Sequence, residues 1–270
     1  MSVSPSPLPR SVIITMLRAA GCVFAEDEAQ LLISAARTPA DLAAMVNRRT
    51  VGVPLEHILG WAEFCGLRIA VDPGVFVPRR RTELLVRHAV ALSRPRAVVV
   101  DLCCGSGAVG AALVSAVPSV ELYAADIDPA AVRCACGNLA AGGGLVFEGD
   151  LFEPLPATLR GRVDVLVANA PYVPTEAIGL LPPEARIHEP QAALDGGTDG
   201  LDVLRRVIAA APLWLAPGGH LLVETSERQA PQAVETFARN GLIPRVVSSS
   251  ELNATVVIGT RPAVQSGPRG

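Results

Sequence analysis

From Ala97 almost to the end of the chain, short apolar runs alternate with stretches of helical spacing, and this alternation constrains the fold more than any other feature. The order is AVVVD, a helix from about Gly107, VELYAAD, a helix from Pro129 to Ala141, GLVFE and VDVLVAN. After a long loop come a helix over Gly200 to Pro212, strand HLLVE, a helix over Arg228 to Asn240, and strands PRVVS and ATVVIGT. Helical crossovers between strands impose parallel pairing, and strands covered on both faces read as continuous apolar runs. The pattern therefore predicts an α/β fold around a mostly parallel sheet. The last two strands are too close in sequence for a crossover, so they are expected as an antiparallel hairpin at one edge.

The preceding residues follow different rules. Ser11 to Arg49 has the spacing of short helices: Val12 to Ala20, Glu26 to Ala36, and one opened by Thr38-Pro39. Val51 to Asp72 places Gly52, Pro54, Gly60 and Gly66 among apolar and aromatic residues, which predicts a β-hairpin. The expected organisation is a helical, substrate-recognising region over 1–50, a hairpin linker over 51–75, a catalytic domain over 76–262 and a tail over 263–270. Residues 1–9 and 262–270 are rich in Pro and Ser or Gly and are expected to fray.

Of 270 residues half are hydrophobic, enough for a large core, and the net charge of −3 argues against general attraction to nucleic acid or anionic membrane. The apolar run Val12 to Leu17 is interrupted by Arg18 and makes a poor signal peptide, so a cytoplasmic protein is expected. The six cysteines have no zinc-knuckle spacing and no nearby histidine, and no metal site is predicted.

Ligands of open α/β sheets bind at the carboxyl ends of the strands. The first strand runs through Asp101 into Leu102-Cys103-Cys104-Gly105-Ser106-Gly107, where glycines let the backbone approach a ligand. The second ends at Asp126-Ile127, about 20 residues further on, where a carboxylate can accept from both ribose hydroxyls. The neighbouring Asp128, just before Pro129, suits a helix cap. The third ends at Asp150-Leu151, an acceptor for an adenine amino group beside an apolar packing surface. Together these tips describe an adenosine pocket. A dinucleotide such as NAD remains an alternative, although the D-x-x-x-G start of the loop at Asp101 resembles the S-adenosylmethionine (SAM) loop of class I methyltransferases, whose cofactor carries an ammonium and no phosphate.

The segments FVPRRRTELLV, DLCCGSGAVG, AADIDPAAV, GDLF, NAPYVP, HEPQAALDGGTDGLD and LAPGGHLLVE, in this order, resemble the protein-(glutamine-N5) methyltransferase family over roughly the last three quarters of the chain. The resemblance implies a class I SAM-dependent methyltransferase with a Rossmann-like sheet of seven strands, the last antiparallel. It implies SAM as cofactor, held by Asp101, Cys103, Cys104, Gly105, Ser106, Gly107, Asp126, Ile127, Asp150, Leu151 and Asn169. The substrate that the resemblance implies is a glutamine in a protein or peptide, as family members modify in the Gly-Gly-Gln loop of translation release factors. Carried over, the Asn169 side-chain oxygen and the Ala170 carbonyl accept the two N–H groups of the substrate amide, Pro171 stiffens the turn, and Tyr172 packs beside the reacting group. Glu189, in the following loop, is a candidate contact for the substrate backbone.

Two departures stand out. Ala170 replaces the usual proline, and Arg79-Arg80-Arg81-Thr82-Glu83 stands where Arg-Pro-Glu-Thr-Glu is usual. The residue before Pro171 stays biased to extended dihedrals, but the extra N–H at Ala170 needs a partner. Two other readings stay open: an amino methyltransferase for nucleic acid bases, which uses related motifs, and a catalytically silent SAM-binding or partner-binding scaffold.

Overall fold

The computed structural model describes residues 8–263. The expectation of frayed ends falls mostly outside those residues. One seven-stranded sheet dominates, in the order β5-β4-β3-β6-β7-β9-β8. Its strands are β3 (Val98–Leu102), β4 (Glu121–Asp126), β5 (Leu145–Glu148), β6 (Val163–Ala168), β7 (Leu215–Thr225), β8 (Ile243–Ser249) and β9 (Ala254–Thr260). Pairing is parallel from β5 through to β7, while β9 is antiparallel to both of its neighbours. The mixed sheet and the hairpin of the last two strands agree with the sequence reading.

Alternation along each strand divides the core in two. Val99, Val165 and Val167 face a layer built by α5 (Glu83–Leu92), α6 (Ala108–Ala116) and α7 (Pro129–Leu139). Val98, Val100, Leu102, Leu166 and Ala168 face α9 (Asp202–Trp214) and α10 (Ala230–Arg239). The second layer is very close to the sheet: a Cβ built on Gly259 would lie 2.1 Å from Phe237 Cδ1. Gly259→Ala should therefore force the buried Phe237 ring aside and lower stability by about 1–3 kcal/mol. Urea unfolding measures this, and an unchanged midpoint would contradict the packing.

The α9 helix continues past Pro212, where the sequence suggests a stop. The proline sits in the last turn, and Trp214 is buried in a stack on Phe152 with ring centroids 5.2 Å apart. That packing offsets the backbone hydrogen bond lost at Pro212.

Three helices, α1 (Arg10–Ala19), α2 (Ala25–Ala35) and α3 (Pro39–Thr50), enclose a separate cluster around Ile13, Leu17, Leu32 and Val46. Thr38 caps α3 by accepting the Asp41 N–H, and Pro39 occupies the first turn, where its missing N–H costs nothing. The predicted hairpin is β1 (Trp61–Phe64) with β2 (Leu67–Ala70), turned at Cys65 and Gly66, both with positive φ.

The hairpin linker needs one correction, because Leu55–Leu59 forms a short helix, α4. Gly60 is its left-handed terminator, not a strand break. Buried His57 in α4 places Nε2 2.8 Å from the Val75 carbonyl and anchors the segment leading to the cavity. The long loop after β6 also carries local structure, including α8 (Pro183–His188). No helix among the described residues is long and apolar enough to cross a membrane.

Candidate functional site

A cavity of about 340 Å³ opens at the carboxyl ends of β3, β4 and β6, within the size range of small-molecule sites. Beneath it the turn after β3 is built by backbone strain and carboxylate bonding together. Cys103, Gly105 and Gly107 all take positive φ. The Gly105 N–H donates to Asp126 Oδ2 at 2.8 Å, and Asp126 Oδ1 accepts the Asp128 N–H at 2.9 Å. Asp126 thus ties two strand tips together while lining the cavity. Asp128 caps α7 by accepting the Ala130 N–H at 2.8 Å.

Asp101 is buried, and Oδ2 accepts the Gly110 N–H at 3.0 Å. Removal from water pushes its carboxyl up to about 7, against the opposing pull of the Gly110 bond. Burial likewise raises the Cys103 and Cys104 thiols and keeps them neutral. Ser106, Ile127, Asp150 and Leu151 complete this end, and Asp150 is paired with Arg206 of α9 at 2.6 Å. Gly107 does not line the cavity. A Cβ built there would sit 3.1 Å from Ala135 Cβ, so Gly107 serves the close approach of α7.

At the other end β6 runs out into Asn169-Ala170-Pro171-Tyr172, all four lining the cavity. Asn169 Nδ2 donates to Thr82 Oγ1 at 3.4 Å, a long bond that nevertheless orients the amide, and no hydrogen bond among the described residues engages its Oδ1. The backbone just beyond is tightly held. Gln229 Nε2 donates to the Tyr172 carbonyl at 2.9 Å, and Val173 bonds to Leu194 and Gly196. Ala170 differs: it is buried, yet among the described residues neither its N–H nor its carbonyl has a hydrogen-bond partner. Most buried main-chain groups are paired, so this residue on the cavity wall is an exception.

The Tyr172 hydroxyl donates to Glu224 Oε1 at 3.1 Å, and burial, reinforced by that carboxylate, raises its phenol above the usual range. Over this end passes the segment after β2, with Phe76, Pro78, Arg81 and Thr82 against the cavity. Arg81 Nε donates to Glu224 Oε1 at 3.0 Å.

Glu189 is engaged by another part of the chain. Its side chain is 1 % exposed and lies outside the cavity lining. Both carboxylate oxygens bind Arg79 Nη2, at 2.6 and 2.7 Å, and Oε1 also accepts the Val77 N–H. It is a strut joining the loop after the Asn-Ala-Pro-Tyr turn to the covering segment. Thr82, Arg206 and Glu224 carried no signal of their own in the sequence. For Glu224 the available clue was position, at the tip of the strand that follows the Asn169 turn.

With this geometry in place, comparison with known proteins is informative. The family described as "Methyltransferase small domain" matches residues 66–197. A protein of Geobacter sulfurreducens named release factor glutamine methyltransferase is 40 % identical over 228 residues, 83 % of this chain and 79 % of that one. Its namesake in Mycolicibacterium smegmatis is 39 % identical over 84 % of this chain and 82 % of its own. Among solved structures, a ribosomal protein L11 methylase of Lactobacillus delbrueckii subsp. bulgaricus shares the fold with a TM-score of 0.52 at 18 % identity, covering 72 % of this chain and 85 % of that one.

Proposed function

The chain belongs to the release factor glutamine methyltransferase family, and from that premise we propose that it transfers a methyl group from SAM to the side-chain amide nitrogen of a glutamine in a translation release factor. The observation that carries this reading is the pair of acceptors without a partner among the described residues, Asn169 Oδ1 and the Ala170 carbonyl, in a cavity-lining turn that is held just beyond them by bonds to the Tyr172 carbonyl and Val173. An amide nitrogen is a poor nucleophile because its lone pair is delocalised into the carbonyl. Two acceptors that take its two N–H groups fix its direction of approach. They bind it more strongly as positive charge grows on nitrogen, which is the condition for lowering the barrier. The Tyr172 ring and the residues above it exclude water from that point.

The cavity suits SAM by its donor set. Asp101 is an almost fully buried acid with one backbone bond, placed to meet an ammonium. Asp126 retains lone pairs for ribose hydroxyls beyond its two backbone bonds. Asp150 and Leu151 supply an acceptor and an apolar surface for adenine, and a Cβ at Gly105 would meet nothing within 4 Å, which leaves room for the ligand beside the main chain. Bound there, SAM would supply an electrophilic methyl on sulfur. The chain's own part is to bind, orient and dry the site.

The test is incubation with a release factor and isotopically labelled SAM, followed by mass spectrometry of the digest. Label on a glutamine is expected. Label found only in RNA or DNA, or nowhere, would end this reading.

Asp101 makes cofactor binding sensitive to pH. An acid whose folded value is about 7 binds a proton that the unfolded chain has already lost at the usual carboxylate value near 4. Its contribution to stability therefore falls as pH rises from about 4 to 7, then levels off. SAM, through its ammonium, favours the charged form. Its affinity should rise up to about tenfold per pH unit toward 7, with proton release. Calorimetry in buffers of differing ionisation enthalpy measures both. Affinity constant between pH 6 and 8 would remove Asp101 from this role.

A further inference from the structure

Glu224 lies one residue past Val223, which pairs with Ala168, so it stands beside the start of the Asn169 turn. It is 2 % exposed and is not part of the cavity lining. Its Oε1 accepts from both the Tyr172 hydroxyl and Arg81 Nε, while Oε2 is buried without a partner among the described residues. Taking a carboxylate out of water and leaving one oxygen unbonded costs stability, and an apolar side chain would fill the space more cheaply. The arrangement secures geometry instead. Arg81 is bonded to Glu224 while its guanidinium lies 5.6 Å from the Tyr172 ring centroid. The phenol is thereby fixed at its hydroxyl by the carboxylate and flanked at its face by a cation that the same carboxylate restrains. Arg81 belongs to the segment covering the cavity and Tyr172 to the turn below it, so the one buried acid links cover and floor.

We propose that Glu224 is a positioning residue for methyl transfer, holding Tyr172 and Arg81 in the orientation that closes the cavity around the reacting amide. The proposal rests on the glutamine reading above. Because Glu224 acts through two side chains, its loss should appear in turnover and not in cofactor affinity. It should also depend on the tyrosine hydroxyl.

Three variants test this: Glu224→Gln, which keeps shape and one acceptor but no charge, Tyr172→Phe, and the two combined. Single-turnover rates should fall about tenfold in each single variant, with KM for SAM within about threefold, and the double variant should fall little further than either. Arg81→Gln should lower the rate similarly, and Arg81→Lys should restore part of it. A second readout needs no activity. The chain has two tyrosines, so labelling at Cζ gives two phenol carbon signals, and Glu224→Gln should move that of Tyr172 alone.

Strictly additive losses, or a Glu224→Gln rate within twofold of the parent, would overturn the proposal and leave the glutamine reading standing. If the parent methylates no glutamine, that reading falls instead, and the carbon signals decide whether Glu224 holds Tyr172: an unmoved Tyr172 signal overturns it. Should Glu224→Gln fail to fold, Arg81→Gln with Tyr172→Phe carries the cycle, and additive losses again count against it.

Discussion

Asn169→Ala should lower the single-turnover rate of glutamine methylation by about 10²–10³-fold, the range found when one preorganised group facing a developing charge is removed. The argument is geometric. Asn169 follows the last residue of a strand buried on both faces, Thr82 takes its amide nitrogen, and Oδ1, without a partner among the described residues, is the acceptor proposed for the substrate. A methyl side chain offers no acceptor, so the substrate nitrogen keeps only the Ala170 carbonyl and can swing about that single bond. The fold should not notice. Asn169 makes one side-chain hydrogen bond, at 3.4 Å, and its removal leaves Thr82, a hydroxyl that can turn elsewhere. Thermal unfolding should shift by less than about 3 °C. Loss of rate with retained stability and retained SAM binding supports the assignment. A variant that keeps a tenth or more of the parent's rate would show that the acceptor lies elsewhere.

How far such a site was legible depended on the range of the forces that build it. Strands such as Val98–Leu102 and Val163–Ala168 are continuous apolar runs, and their burial on both faces follows from local sequence. The strand-tip acids Asp101, Asp126 and Asp150 were readable because parallel strands deliver their ends to one edge, whatever the intervening helices do. Gly107 shows the limit of that logic: its glycine answers to Ala135 on the next helix, a neighbour that spacing alone does not reveal. The ion pair of Glu189 was hidden for a similar reason, since the arginine that binds it is 110 positions away in the chain. Glu224 looked like the polar end of an ordinary strand until Arg81, 143 positions earlier, was brought onto it. The Leu55–Leu59 helix was hidden because Gly60 suits both a helix terminator and a hairpin break.

The same long-range pairing predicts the second large effect, which concerns stability. Arg49 in α3 is 6 % exposed. Its Nε and Nη2 bind the two oxygens of Glu28 in α2, at 2.5 and 3.1 Å, and Nη1 binds Glu184 of α8 at 2.6 Å. These partners hold the guanidinium charged against the cost of burial. Arg49→Ala should destabilise the protein by about 3 kcal/mol, because Glu28, with its side chain only 12 % exposed, would be left as a nearly buried charge without its cation. Glu184 is 45 % exposed and water can replace its partner, so Glu184→Gln should cost less than about 1 kcal/mol. The decisive comparison is Arg49→Met combined with Glu28→Leu. If the cost of Arg49→Ala comes from a stranded carboxylate, removing both charges should recover most of it, and urea midpoints should show the recovery. If the double variant is as unstable as the single one, the arginine matters for the shape it fills and not for the charge it neutralises. Either way, amide exchange should report the loss first in α1 to α3, whose cluster Arg49 connects to the loop that follows the Asn-Ala-Pro-Tyr turn.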